Sequence, residues 1–568
     1  MMPDDGTNVP GHDLHIVRLS FEARSPLSIG SGETRKESRK ERGSGVETSI
    51  SVSEIQRDAN ALPAIPGAGL QGVLRRLAAE AHGEEFAGEM FGREDAGGDG
   101  AAGRVLCGWA CVHDATGVAV SGLRLAELDT SHDDVLRLLA RSEPLWRDHV
   151  ALNDRHSVDG RRKFARAAVP VGTRFSVELC GWGDDTFRDK LMQVVSLFRH
   201  PRLRFGAGSG RGYGRIRLLA ASHAVPSLHD PAALRRLREQ PPSESLSKDV
   251  LGDLAAPAGA DTVLTLHLHC TDLLRIGAVG PHAQPLTHGA QRARCATSGG
   301  IVESDGLGPP DQQGGDAILM LLRQPCIVWN GNRGQSIEIG DDPVASPAEQ
   351  LRFPIPGSSI RGVVAHRMLF HANRSAGRCI DADEYAQLAE TDEEKREKLQ
   401  ATYDGYRRRS PDLEVFLGAA KESTSLKDGA EDSGRAGRVL FDDAEATGVR
   451  WIVGLDHVSI DRFTGGAQDE DGALFREETL LGGRIEATVT IRPPLEPVEG
   501  GEKTVGGWPD ATANAFLLAV RDLCRGWLPL GGRGHGECSG HACFAGSDAD
   551  DWQRAARKAG VPIGGTGT

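Results

Sequence analysis

Apolar residues recur along this chain at helical and strand-like spacings. Leu70, Val73, Leu74 and Leu77 stand at i, i+3, i+4 and i+7, the pattern of one buried helical face. Ile360, Val363, Val364 and Met368 nearly repeat it. A Pro-Gly pair precedes each, Pro66-Gly67 and Pro356-Gly357, so both helices are expected to start from a tight turn. Ile216 and Leu218 predict a strand after a Gly-rich loop, and the run from Ala317 to Leu322 fits a strand or part of a helix. Two extended pieces around 459–475 flank the polar tip 465–473, which predicts a projecting hairpin. Residues 384–409 are charged throughout and read as a solvated helix.

The pattern occurs twice. Ile65-Pro66-Gly67-Ala68-Gly69-Leu70 is matched by Ile355-Pro356-Gly357-Ser358-Ser359-Ile360. Gly103-Arg104-Val105-Leu106 is matched by Gly437-Arg438-Val439-Leu440, and each runs on to an Asp-Ala pair, Asp114-Ala115 and Asp443-Ala444. Asp154-Arg155-His156, with Phe164 and Gly172 downstream, pairs with Asp461-Arg462-Phe463, with Phe475 and Gly483 downstream. Gly210-Arg211-Gly212-Tyr213-Gly214-Arg215 pairs with Gly532-Arg533-Gly534-His535-Gly536-Glu537. The offsets between partners vary, so this is a duplicated domain with insertions and not a short-period solenoid. The expected division is a first domain over 1–220, a linker over 221–260 carrying Pro-Pro-Ser-Glu-Ser, a second domain over 261–546, and a tail over 547–568.

At 568 residues the chain is too long for one core, which agrees with the duplication. The net charge of −14 weighs against a nucleic-acid partner, but arginines concentrate in 199–217, which holds no acid, and in 35–42. Aromatics make up only 5% of the chain, so any base stacking rests on few rings. The acidic start reads as no signal peptide, no run is long enough to span a membrane, and the ten scattered cysteines read as reduced thiols of a cytoplasmic protein.

The helix-start motif leaves backbone N–H groups that suit a phosphate, with Ser358, Ser359 and Arg361 in its first turns. A plain turn-to-helix junction explains the same residues. In the Gly-rich loop, Arg211 and Arg215 could pair with phosphates and Tyr213 could stack on a base, or the loop could be a hairpin turn. The second copy places Arg533 there but replaces the tyrosine with His535. His535, Cys538, His541 and Cys543 form one Cys/His cluster, and Cys107, Cys111 and His113 another. Structural zinc and buried reduced thiols are the two readings of each.

Taken together, Ile355 to Gly362, Ile460 to Gly465 and Gly210 to Gly214 resemble the motifs of the RAMP superfamily. Within it they are similar to the Cas-seven-like backbone subunits of type III CRISPR complexes, most of all the fused III-D-like subunits. The resemblance covers roughly 14–220 and 261–546. It implies an α+β fold of two tandem modified ferredoxin-like (RRM-type) domains with thumb hairpins. It also implies guide RNA, target RNA and other effector subunits as partners, with no membrane.

Arg155, Arg462 and Phe463 would be the thumb residues that meet RNA. The family cuts target RNA with an aspartate upstream of the helix-start motif and a divalent ion, Mg²⁺ or Mn²⁺. Here the candidates are Asp316, also the candidate metal ligand, then Asp341 and Asp342. The first copy has no aspartate in place: Ser51 or Val52 stands there, so it is expected to bind without cutting. Two rivals stay open: a scaffold without catalysis, and a guide-processing endoribonuclease using His156 as base.

Overall fold

The computed structural model describes residues 13–40, 47–93, 100–124, 128, 130–152, 158–227, 230–257, 259, 261–278, 292–295, 301–302, 317–322, 324–337, 353–377, 411–419, 435–458, 460, 464–466, 474–494 and 504–564. The expected helix over 384–409 lies outside them.

In the first half, β1 (Asp13–Ala23), β2 (Gly30–Lys40), β3 (Glu47–Ile55) and β4 (Ala64–Ile65) lead into α1 (Gly67–His82). Then come β5 (Val105–Cys107), β6 (Ala110–Val112), β7 (Leu145–Leu152), β8 (Val158–Ala168), β9 (Arg174–Gly183), α2 (Asp185–Ser196) and β10 (Ile216–Ala224). Next are α3 (Pro231–Glu239) and β11 (Lys248–Asp249). The main sheet runs β11-β10-β1-β9-β6-β4, and a second sheet runs β2-β3-β8-β7.

The second half holds β12 (Thr262–Leu274), β13 (Ala317–Leu321), β14 (Phe353–Ile355), α4 (Gly357–Ser375), β15 (Val439–Phe441), β16 (Ala444–Thr447), β17 (Trp451–Val458) and β18 (Leu474–Ile491). It closes with α5 (Asp510–Cys524), β19 (Cys538–Gly546) and α6 (Ala549–Lys558). This is the α+β duplication expected, and each half has its own core.

The hydrophobic spacing forms the helices it predicted. α1 buries Leu70, Leu74 and Leu77, and α4 buries Ile360, Val364 and Met368. Each such leucine contributes about 1.5–3 kcal/mol by leaving water. Glycine opens both helices for a steric reason. A Cβ at Gly67 would collide with the Cys107 carbonyl, and one at Gly357 with the Phe441 carbonyl. β17 and β18 pair antiparallel out to Val458 and Leu474, the ends that lead into the expected hairpin, and residues 461–463 and 467–473 of that hairpin lie outside the described residues.

One difference between the halves follows from a proline. β8 and β9 are separate strands in separate sheets, with Pro170 between them, which cannot donate to a ladder. The second half has Gly482 and Gly483 at the matching bend and no proline. There β18 runs unbroken through 18 residues, and β12 to β19 all belong to one sheet.

Residues 221–260, expected as a linker, fold back on the first half. Val250 and Leu254 enter its core, and β11 pairs with β10. The carbonyls of Leu237 and Glu244 accept from the buried Arg18 guanidinium at 2.8 and 3.2 Å. The tail likewise belongs to the second core: Trp552 of α6 is buried against Phe516, and Val561 is buried beyond it. In both segments a few apolar side chains in polar surroundings decide the packing.

Candidate functional site

The two halves meet where the Gly-rich loop of the first lies against the start of α4 in the second. The Gly357 N–H donates to Asp443 Oδ1 at 2.8 Å, and Arg147 Nη2 donates to Asp443 Oδ2 at 2.7 Å. Gly212, at φ +95°, passes so close that a Cβ there would strike the Asp443 carboxylate. Beside it, Asp442 takes Arg204 at 2.7 Å and Arg215 at 3.2 Å. Glu80 of α1 bridges Arg202 of its own half, at 2.7 Å, and Arg492 of the other, at 2.6 Å. Arg202 also pairs with Asp261.

This geometry reassigns several expected residues. Tyr213 is fully buried, with its hydroxyl 2.8 Å from His149 Nε2 and Arg147 stacked over its ring, so it presents no face to a base. Burial pushes the Tyr213 hydroxyl up to about 12 and the His149 imidazole down to about 3. The acid-free stretch 199–217 is largely neutralised by acids from elsewhere in the chain. Arg202, Arg204, Arg215 and Arg217 pair with Asp261 or Glu80, Asp442, Asp442 and Glu22 respectively. Burial pushes the Asp443 carboxyl up, and Arg147 opposes it. Because Asp443 caps α4, its first N–H is satisfied by a carboxylate of the fold. Ser358 and Ser359 are half-buried in that first turn, and Arg361 donates to the Leu417 carbonyl.

Arg211 is different. No carboxylate among the described residues pairs with it, and burial and then neighbouring Arg166 lower its pKa. Arg166 lies over the Phe164 ring, which stacks on His149. Two guanidinium groups near enough to disfavour each other's charge leave positive potential beside the Gly-rich loop. Arg155, Arg462, Phe463, Asp316, Asp341, Asp342 and His156 lie outside the described residues, as does the Arg533 side chain.

The sheet register supplies an alignment of the two copies that letters alone missed. Ile65 lies opposite Ala110, and Ile355 opposite Ala444. So Asp442-Asp443 corresponds to Gly108-Trp109, and not to the neighbourhood of Asp114-Ala115. Phe164 faces His149, and Phe475 faces His457. Glu477 therefore stands where Arg166 stands. It is fully buried among Arg275, His457 and His535, at 3.1, 3.5 and 3.7 Å. Asp442, Asp443, Glu80, Arg166 and Glu477 were not singled out by motif. Asp443 alone carried a signal, as part of a repeated landmark.

The Cys/His clusters also separate. Cys538 points into the core, His535 turns to Glu477, and His541 and Cys543 stand on the opposite sheet face from Cys538. In the first half, burial raises Cys107 to about 12 and Cys111 to about 11, and lowers His113 to about 4. Among the described residues Cys107, Cys111 and His113 do not come together as a ligand set.

A family model of the RAMP superfamily matches residues 20–217 and 270–539. A chain from a cryo-EM structure of the Type III-B Cmr-beta bound to cognate target RNA is similar at 16% identity, over 38% of this chain and 61% of that one, with a TM-score of 0.24. This chain thus spans less than two thirds of that chain's length. No curated protein matches.

Proposed function

Because the chain belongs to the RAMP superfamily, we propose that it is an RNA-binding backbone subunit of a type III CRISPR effector complex. It holds guide RNA along its two repeats and presents it to target RNA. The observation that carries this reading is the way the repeats dock. The Gly-rich loop of one sits on the helix start of the next, so the contact is head to tail and not isologous. Such a contact leaves one unmatched face at each end, and further copies or other subunits can continue it.

The open faces have suitable chemistry. At the head, Leu106 and Trp109 are 60% and 48% exposed where the second half uses its Leu440 and Asp443. At the tail, exposed Trp527 lies near the second Gly-rich loop. Arg166 and Arg211 offer positive charge for an RNA backbone, which an overall charge of −14 otherwise lacks.

In the finer reading, target RNA is cut in the second half, with Asp316 the first candidate and Asp341 and Asp342 next. Support comes from register. β13 pairs parallel with β18 (Ala317 opposite Phe475), as β3 pairs with β8 (Ser51 opposite Phe164). Ala317 therefore corresponds to Ser51, and the first half holds no carboxylate from Ile50 to Ser53. RNA brings its own nucleophile, the 2′-OH. Among the described residues no three carboxylates gather to hold Mg²⁺ or Mn²⁺.

The test is reconstitution with guide RNA and partner subunits, comparing wild type with Asp316→Ala, Asp341→Ala and Asp342→Ala. Loss of one cleavage product in one variant, with RNA binding intact, supports the finer reading. Persistence of every product in all three leaves the scaffold. Failure of the complex to retain guide RNA overturns both.

A further inference from the structure

We propose that His267, His541 and Cys543 form a zinc site on the outer face of the second half's sheet. β12 and β19 pair antiparallel, with His267 directly opposite His541 and Thr265 opposite Cys543. Side chains alternate along a strand, so Leu264, Leu266 and Leu268 enter the core while His267 points away from it. His541 and Cys543, two residues apart, share that outer face.

Their ligand atoms all lie within 4.8 Å of one another, and the two imidazole rings are 5.0 Å apart. Tetrahedral zinc with bonds of about 2.0–2.3 Å needs separations of roughly 3.3–3.8 Å, so closure asks for about 1 Å of side-chain movement. Among the described residues this is the one group with three possible ligands so close together. Two nitrogens and a sulfur suit zinc and not the oxygen-seeking magnesium or calcium.

Two further contacts frame the site. On the other neighbour of β12, Glu486 stands opposite His267, with its Oε2 3.7 Å from Nδ1. A slightly closer approach would let this carboxylate hold Nδ1 and leave Nε2 for the metal. Beyond β19 the chain returns alongside it: the Ala542 N–H donates to the Pro562 carbonyl at 2.9 Å, and the Gly564 N–H to the Ala542 carbonyl at 3.1 Å. Gly564 lies so close over the cluster that a Cβ there would collide with His541 and crowd Cys543 Sγ. Among the described residues no fourth ligand joins these three. A bound ion would tie β12 to β19.

The experiment uses the full-length chain, loaded with zinc sulfate, dialysed and analysed for metal. About one zinc per chain is expected, falling several-fold in His267→Ala, His541→Ala and Cys543→Ser but not in Cys107→Ser. Cobalt(II) in place of zinc should give tetrahedral ligand-field bands and a thiolate charge-transfer band, the latter lost in Cys543→Ser. Wild-type zinc should also protect Cys543 from alkylation, a readout that needs no variant to fold. No zinc on wild type, equal zinc on all variants, or unprotected Cys543 would each overturn the proposal.

Discussion

Removing the Asp442 carboxylate tests whether buried charge holds the two halves together. Asp442 and Arg204 are each 4% exposed and 2.7 Å apart, while Arg215, the second partner, is 48% exposed. Asp442→Ala leaves the Arg204 guanidinium buried with only the carbonyls of Pro201 and Leu203. An uncompensated buried charge of this kind costs about 3–5 kcal/mol. The half-exposed Arg215 contact adds no more than about 1 kcal/mol. At about 2–4 °C per kcal/mol, the unfolding midpoint should fall by roughly 6–24 °C.

Calorimetry of the full chain measures this, and separation of one transition into two would locate the loss at the junction. A cycle completes the test. Asp442→Leu with Arg204→Met removes both charges and should recover most of the loss, because a buried pair can be replaced by apolar groups at little cost. Asp551→Ala, at the exposed Arg554 pair, is the control. An Asp442→Ala shift no larger than that control, or a strictly additive cycle, would refute the reasoning.

Acid should weaken the Glu80 bridge across the same junction. Burial pushes the Glu80 carboxyl up, but Arg492 and Arg202 outweigh it and hold the group below its ordinary value. Its stabilisation is therefore full above the unfolded-state carboxylate value and is lost as pH falls through the depressed folded value, which thermal melts across that range will show. Gly212→Ala should part the halves by driving a Cβ into Asp443, seen as a larger radius of gyration in solution scattering; an unchanged radius would count against the close approach. Tyr213→Phe should cost about 1–3 kcal/mol in denaturant melts by leaving His149 without its partner, with RNA affinity unchanged; a stable variant would point back to a stacking role. Arg166→Ala and Arg211→Ala should each lower the salt dependence of RNA binding by about 0.7 in log–log slope, read from titrations at several salt concentrations.

Periodicity and repetition were enough to establish much of this molecule. The apolar faces at Leu70 to Leu77 and Ile360 to Met368 and the Pro-Gly helix starts are local patterns. A local pattern needs only neighbouring residues to make sense. What the alphabet alone could not decide was which charges cancel. Arg204 and Arg215 look free in an acid-free stretch, yet Asp442 neutralises both from more than two hundred residues away. Tyr213 looks like a stacking ring until Arg147 and His149 close over it. The cluster of His535, Cys538, His541 and Cys543 looks contiguous, but a strand sends alternate side chains to opposite faces, and His267 arrives from a different strand. Ion pairing, burial and strand register act through space, so their partners are set by tertiary contact. Helix faces and turns act through adjacency, and those the chain declares by itself.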